Sequence, residues 1–160
     1  MSGSGEGGAV VSAAASFRTI SPKDAFSLAP PRSPAVLCYR TDRGDSRLVL
    51  TEWFSWLNFV RNPMISFSLE RSSPAASTLK EDAELVLAIL VPKKALKFKE
   101  EVVAGHTNLS LSEYVGSVIP ADSEILLKCT LAGAYNYPFK KVRIFNCNLI
   151  EAFRREGGKP

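Results

Sequence analysis

The sequence predicts a mainly β domain in which six strands form an antiparallel barrel with short helices at its margins. Three observations predict this class. Several apolar runs have the length of a strand and are bounded by turn-forming residues. Most successive runs are joined by connections too short for a parallel crossover. At least two segments between them carry the signals of short helices, as expected for helices at the edges of a barrel.

The first two strands form a predicted hairpin. "AVLCYRT" (35–41) and "SRLVLTE" (46–52) flank "DRGD" (42–45), a turn signal that predicts a four-residue loop. The preceding segment, "SPKDAFSLAPPRSP" (21–34), contains four prolines. We therefore expect it to be extended or turned.

The third strand is predicted to begin at Pro63 and to alternate between two faces. Alternation places Ile65, Phe67 and Leu69 on one face, and Ser66 and Ser68 on the other. A short helix follows, because Ser73 is available as N-cap and Pro74 suits the first helical position.

The remaining elements are apolar runs with clear ends. "AELVLAILV" (83–91) predicts a strand covered on both faces and ended by proline. "PKKALKFKEEVV" (92–103) predicts an amphipathic helix that buries Leu96 and Val103 and turns its lysines to solvent. "SEILLKCTLAG" (123–133) and "KVRIFNCNLIEAF" (141–153) predict the last two strands.

Length and composition indicate one globular domain. The 160 residues are 46% hydrophobic and 22% charged, which is ordinary for a folded protein. Residues 1–16 are mostly Gly, Ser, Ala and Val and predict a disordered tail before a single domain at 17–160. No apolar run is long enough to cross a bilayer, so we expect no membrane partner and a cytoplasmic location. The Ser/Ala-rich start leaves an organellar transit peptide as the alternative.

Charge and rare residues exclude several function classes. The net charge of +4 comes from scattered basic residues, which argues against nucleic acid and favours a small phosphorylated ligand. Cys38, Cys129 and Cys147 are odd in number and far apart, so we expect reduced, non-catalytic thiols. The single histidine, His106, cannot form a multi-histidine metal site, and no metal site is predicted.

Familiar catalytic motifs are missing from the chain. It contains no GxGxxG, P-loop, GxSxG or HExxH pattern. The acidic cluster "EDAE" (81–84) follows a predicted helix and is interpreted as a solvated turn. We predict no catalytic residue, so any chemistry must come from a bound cofactor.

The stretch "TEWFSWLNFV" (51–60) suits a flavin cofactor. A flavin needs aromatic surface against its ring and polar groups along its edge. Trp53, Phe54 and Trp56 supply the first requirement, while Ser55 and Asn58 supply the second. The alternative is that both tryptophans are core or interface anchors.

The next polar stretch, "ERSSP" (70–74), suits the phosphate of such a cofactor. Arg71, Ser72 and Ser73 lie at the predicted start of the helix, where free backbone amides also point. The alternative is that Ser73 only caps the helix.

Together these pieces resemble the flavin reductase-like family of FMN-binding split barrels, which includes the flavoredoxins, over residues 27–153. The resemblance implies a split barrel of Greek-key type. The residues that match are Trp53, Phe54, Ser55, Asn62, Pro63 and Ser73, together with "LKEDAEL" (79–85) and "EYVGS" (113–117). Asn58 lies where the family usually has a serine. The chain departs from the family pattern at Glu52, at Ala75, at Asn146 and at "YNYPFKK" (135–141), which replaces a Gly-Asp-His turn.

The resemblance implies an oxidoreductase that binds FMN, or alternatively FAD, with NAD(P)H as co-substrate. The protein would be an NAD(P)H:flavin oxidoreductase or a flavoredoxin-type electron carrier, acting as a homodimer and with a redox partner protein. We expect the dimer interface to include Trp53–Phe59, because two tryptophans so close together exceed what one barrel core hides. Glu52 and Ala75 favour the alternative of a redox-inactive split-barrel dimer that serves as a ligand-binding or structural module.

Overall fold

The chain folds mainly into antiparallel β-structure. The computed structural model describes residues 16–58, 61–138 and 141–157, so the predicted tail lies outside the described residues except for Ser16. The strands of this part are β1 (Phe17–Ile20), β2 (Ala35–Arg40), β3 (Ser46–Leu50), β4 (Trp53–Asn58), β5 (Met64–Glu70), β6 (Glu84–Ile89), β7 (Val102–Val103), β8 (Leu111–Tyr114), β9 (Ser117–Pro120), β10 (Ile125–Asn136) and β11 (Val142–Arg155). The helices are α1 (Pro22–Leu28), α2 (Pro74–Thr78) and α3 (Pro92–Ala95), and a 3-10 turn at Leu96–Phe98 follows α3.

One large sheet contains nine of these strands. Its order is β4-β5-β11-β10-β6-β2-β3-β7, with β1 added against β11. Strands β8 and β9 pair only with each other, as a separate hairpin. The predicted mainly β, antiparallel class is confirmed, but the six predicted strands are too few.

The two longest strands join most of the sheet. β10 and β11 pair along most of their length, with register shifts after Lys128 and between Leu131 and Gly133. Such irregularities bend a strand and increase its twist, which lets one strand take part in a curved sheet. β11 pairs in addition with β5 and β1, and so holds together parts of the chain that are remote in sequence.

The core occupies both faces of the sheet. The larger cluster lies inside the barrel and includes Phe54 and Leu87, together with Phe67 and Phe145, whose rings stack at 5.1 Å. The smaller cluster includes Val86 and lies on the other face, where residues of the β8–β9 hairpin and of the turn after α3 pack. β6 contributes to both clusters, as its unbroken apolar sequence predicts.

Several predicted elements are confirmed. β2 and β3 form the hairpin around the "DRGD" turn, which the backbone N–H of Thr41 closes by donating to the carbonyl of Asp45 at 2.8 Å. The alternate residues of β5 face the barrel interior as expected. Ser73 caps α2 by accepting from the backbone N–H of Ala76 at 3.4 Å, and Pro74 begins the helix.

Other predictions are wrong, for reasons visible in the contacts. The proline-rich segment contains α1, because Ser21 accepts from the N–H of Asp24 and Pro22 occupies the first turn, where no N–H donor is needed. The expected helix at 92–103 stops after one turn. Leu96 is 60% exposed, and Val103 lies in β7, where it pairs with β3.

A polar cluster joins β2 and β3 to the segment before β7. The Tyr39 hydroxyl donates to Glu101 Oε2 at 2.8 Å, and Arg47 Nη1 donates to the same oxygen at 3.1 Å. Burial, followed by the neighbouring Glu101 carboxylate, raises the pKa of Tyr39 well above its usual value. The tyrosine is therefore a neutral donor that fixes the carboxylate.

Candidate functional site

β4 presents two chemically different faces. It pairs antiparallel with β5, with Trp53 opposite Ser68 and Ser55 opposite Ser66. Since side chains alternate along a strand, Trp53 and Ser55 share the outer face while Phe54 and Trp56 share the inner one. The sequence prediction grouped all three aromatic residues at one site, and the fold separates them.

The two inner aromatic residues belong to the core. Phe54 and Trp56 are only 1% and 9% exposed. The Trp56 ring packs edge-on against Phe26 at 5.7 Å, and its Nε1 donates to the carbonyl oxygen of Ala29 at 2.8 Å. These contacts attach α1, through Phe26 and the C-cap residue Ala29, to β4. The Phe54 side chain therefore lies in the barrel core and not against the outer surface.

The outer face carries a groove beside Trp53. A cavity of about 460 Å³ is lined by Trp53, Ile144 and three neighbours, Glu52, Tyr137 and Val142. Ser68 lies between Trp53 and Ile144 in the sheet, since it pairs with both. Ser68 itself is fully buried and does not line the cavity.

Hydroxyl and amide groups continue the outer face from this groove. Ser55, Ser66 and Asn146 are adjacent in register, and the Ser66 hydroxyl donates to Asn146 Oδ1 at 3.0 Å. The Ser68 hydroxyl is fully buried and has no hydrogen-bond partner among the described residues. An isolated buried hydroxyl is unusual, because most buried polar groups are satisfied.

Glu52 stands at the edge of the same groove. Its backbone N–H donates to the Ser68 carbonyl at 2.7 Å, and its side chain is exposed. Glu52 and Trp53 also line a second cavity of about 360 Å³, on the side of Arg32 and Thr51. The carboxylate therefore lies between two concave regions of the surface.

The other polar residues predicted for the site are spread around it. Asn58 is exposed, and its Nδ2 donates to the carbonyls of Arg61 and Asn62 in the following turn. Ser72 is exposed, and the Ser73 hydroxyl oxygen already accepts as the cap of α2. Both serines follow Arg71 directly after β5, which ends at Glu70, and they are remote from Trp53 in sequence.

Arg71 lines a separate cavity of about 290 Å³ at that end of the sheet, together with Asn136, Arg143 and residues of α2. The Arg71 backbone N–H donates to the carbonyl of Lys141 at 2.9 Å. Sequence analysis did not indicate Arg143 or Asn136. Their position depends on the register between β5, β10 and β11, for which the sequence carries no local signal.

The histidine and the cysteines lie apart from this groove in sequence and differ in their exposure. His106 is exposed in a loop, and the described residues include no cluster of three or more His, Cys, Asp or Glu side chains able to hold a metal. All three cysteines are free and buried, and burial raises the pKa of Cys147 to about 12. No helix within the described ranges is long and apolar enough to span a membrane.

No family model matches the chain, and no curated protein matches it by sequence. Solved structures do match. The flavin reductase of styrene monooxygenase from Pseudomonas putida S12 is 14% identical with a TM-score of 0.65, covering 84% of this chain and 86% of its own. The NADH:FAD oxidoreductase SgcE6 of Streptomyces globisporus C-1027, solved with NAD and FAD fragments, is 16% identical with a TM-score of 0.65, covering 89% of each chain.

A third match is the flavoredoxin of Methanosarcina acetivorans, which is 16% identical with a TM-score of 0.61, covering 79% of this chain and 70% of its own. At such identities the comparison concerns the fold. The resemblance inferred from the sequence is confirmed at that level. By its architecture the chain therefore has the split-barrel fold of these flavin reductases.

Proposed function

We propose that the protein binds a flavin on the outer face of β4, β5 and β11, and that it acts as a flavin-dependent oxidoreductase. The observation that carries this proposal is the groove between Trp53 and Ile144, which has an isolated buried hydroxyl, that of Ser68, beneath it. A ligand with an aromatic ring and hydrogen-bonding edges matches such a groove, because it offers apolar faces to the walls and polar atoms to the sheet.

The side chains around the groove are of the types that a flavin needs, namely aromatic, apolar and hydroxyl groups. Trp53 and Ile144 would contact the ring, while Ser55, which shares the outer face with Trp53, would hydrogen-bond its polar edge. Arg71 lies at the end of the same strands, on the side where the phosphate would lie. Phe54 supports this surface from the core and would not contact the ligand.

A bound flavin would supply hydride chemistry, with NAD(P)H as donor. The protein's own part would be to orient the ring and exclude water from one of its faces. The solved relative SgcE6 is described as an NADH:FAD oxidoreductase, which supports a nicotinamide donor for this chain. FMN is the flavin we propose, with FAD as the alternative.

We further propose that the protein is a homodimer that covers this face. Leu57 lies on the outer face of the edge strand β4 and is 54% exposed, and Tyr135 of β10 is 50% exposed. Apolar side chains grouped on one face commonly mark an interface. Phe59, the end of the predicted interface, lies outside the described residues.

Glu52 favours a second candidate function. A carboxylate at the rim of the groove would repel the phosphate or a negatively charged form of the ligand. Such a groove would suit a redox-inactive dimer that binds another planar molecule. The two candidates differ in whether the purified protein retains or takes up a flavin.

Absorbance spectra and flavin titrations test the proposal. We expect flavin bands in the purified protein, or quenching of tryptophan fluorescence by FMN. Trp53→Ala should weaken FMN by roughly tenfold or more, since aromatic contacts contribute about 0.5–1.5 kcal/mol beyond the area they bury. Leu96→Ala is the matched control, because Leu96 is exposed on the turn after α3.

Absence of binding for FMN, FAD and riboflavin would exclude the flavoprotein and leave the redox-inactive dimer. Binding of flavin without oxidation of NADH or NADPH would restrict the function to a flavin carrier.

A further inference from the structure

Two arginines that are far apart in sequence face one cavity at the end of the sheet. Glu70 of β5 pairs with Val142 of β11, so the residues that follow and precede them meet at the same edge. As a result Arg71 and Arg143 both line the cavity of about 290 Å³, with Asn136 and Ser77 beside them.

Arg143 is held in place before any ligand arrives. Its Nη1 donates to Asn136 Oδ1 at 3.0 Å, and its guanidinium carbon lies 5.8 Å from the centre of the Phe145 ring. Its Nε is buried and has no acceptor among the described residues. A buried N–H without an acceptor is unfavourable, and an anion in the cavity could supply one.

The cavity offers donors and positive charge. Because Asn136 Oδ1 accepts from Arg143, the amide nitrogen of Asn136 remains a donor. No carboxylate belongs to the described residues that line the cavity. Glu70 precedes Arg71, but alternation along β5 places its side chain on the outer face, where it is exposed. Paired guanidinium groups match the several oxygens of a phosphoryl group.

We propose that Arg71 and Arg143 together bind a phosphoryl group, and that Arg143 is a phosphate-binding residue of this protein. The site is displaced from Ser72 and Ser73, where the sequence placed the phosphate, toward the inner side of the sheet end. Of that predicted trio, the serines cap and turn the chain, and Arg71 alone lines the cavity.

The cavity and the groove proposed for the flavin ring lie at the same end of the sheet, on its opposite faces. Tyr137 and Val142 line the groove, whereas their chain neighbours Asn136 and Arg143 line the cavity. A ligand with its ring in the groove and a short chain over the sheet end would place a terminal phosphate between the arginines. This assignment of the phosphate to a flavin rests on the function proposed above.

Titrations of the full chain with FMN, riboflavin and inorganic phosphate test the inference. Arg143→Met should weaken FMN about tenfold to a hundredfold and leave riboflavin unchanged, since charge-assisted hydrogen bonds to the phosphate are lost. Arg143→Lys should restore part of the loss. Arg154→Met is the control, because Arg154 is an exposed arginine near the other end of the same strand.

Thermal unfolding of each variant shows whether Arg143→Met still folds. In the parent, inorganic phosphate should raise the melting temperature more than chloride of equal ionic strength, and this difference should shrink in Arg143→Met. Stabilisation by phosphate without any flavin binding would keep the arginine site and exclude the flavin as the source of the phosphate.

Riboflavin and FMN that bind equally well to the parent, with no effect of Arg143→Met and no specific effect of phosphate, would overturn the arginine site. In that case the proposed flavin groove would stand by itself.

Discussion

Replacing each tryptophan of β4 by phenylalanine should affect a different property: stability for Trp56 and flavin affinity for Trp53. Trp56→Phe removes the donor to the Ala29 carbonyl, and it leaves that acceptor buried, which costs about 1–3 kcal/mol. The smaller ring also leaves space beside Phe26 and Phe54, which adds about 1 kcal/mol at about 24 cal/mol per Å³ of cavity. The free energy of unfolding should therefore fall by about 2–4 kcal/mol.

Trp53→Phe has no such effect, because Trp53 is half-buried and lies outside both core clusters. Its free energy of unfolding should change by less than about 1 kcal/mol, whereas its flavin affinity should fall. Trp56→Phe should keep its flavin affinity under conditions in which it remains folded.

The assay is urea unfolding followed by far-ultraviolet circular dichroism, since tryptophan fluorescence itself changes in these variants. The melting temperature of Trp56→Phe should fall by roughly 5–15 °C. A loss below about 0.5 kcal/mol for Trp56→Phe, or an equal loss for both variants, would refute the division of β4 into a core face and a ligand face.

Three further predictions concern single side chains. Glu101→Ala should lower the free energy of unfolding by about 2–4 kcal/mol, because the hydroxyl of Tyr39 and the guanidinium of Arg47 lose their shared partner. The control Asp42→Ala, at an exposed ion pair, should change the free energy of unfolding by less than about 0.5 kcal/mol. Equal losses for the two variants in urea titrations would contradict this prediction. Burial raises the pKa of the Cys147 thiol to about 12, so this thiol should react with a thiol reagent at pH 8 only after unfolding. A labelling rate of the native protein equal to the rate in urea would refute its burial. Glu52→Ser should tighten FMN by removing a negative charge at the groove, and unchanged affinity in a fluorescence titration would show that the carboxylate does not face the ligand.

The elements that were predicted correctly are those determined by residues close together in sequence. The alternation of Ile65, Phe67 and Leu69 needs only the period of a strand, and the capping of α2 by Ser73 needs only the four residues that follow. The continuous apolar run of β6 likewise indicates burial on both faces without knowledge of its neighbours.

Features that depend on pairing between distant strands could not be predicted from local sequence patterns. β4 alternates between core and groove, but Trp53 and Leu57 on the outer face are as apolar as the residues on the inner face, which hides the period. Apolar residues in the 92–103 segment have a helical spacing, yet the end of this segment forms β7, in which Val103 pairs with β3, instead of continuing the helix. Arg143 gains its role only from the register of β11 against β5 and β10, which brings it to Arg71 and Asn136.

The position of β11 in the sheet also sets the order in which the barrel can be completed. This strand pairs with β10 by a local hairpin, but also with β5 and with β1, so that Arg155 lies opposite Phe17. During synthesis, the edge of β5 that β11 covers and the whole of β1 must wait for residues made almost at the end of the described chain. Pairing of this long range closes large loops and slows folding. Until then the Phe67 side of β5 lacks the Phe145 ring that stacks on it, so the nascent chain has an exposed strand edge and apolar surface that can associate with other chains.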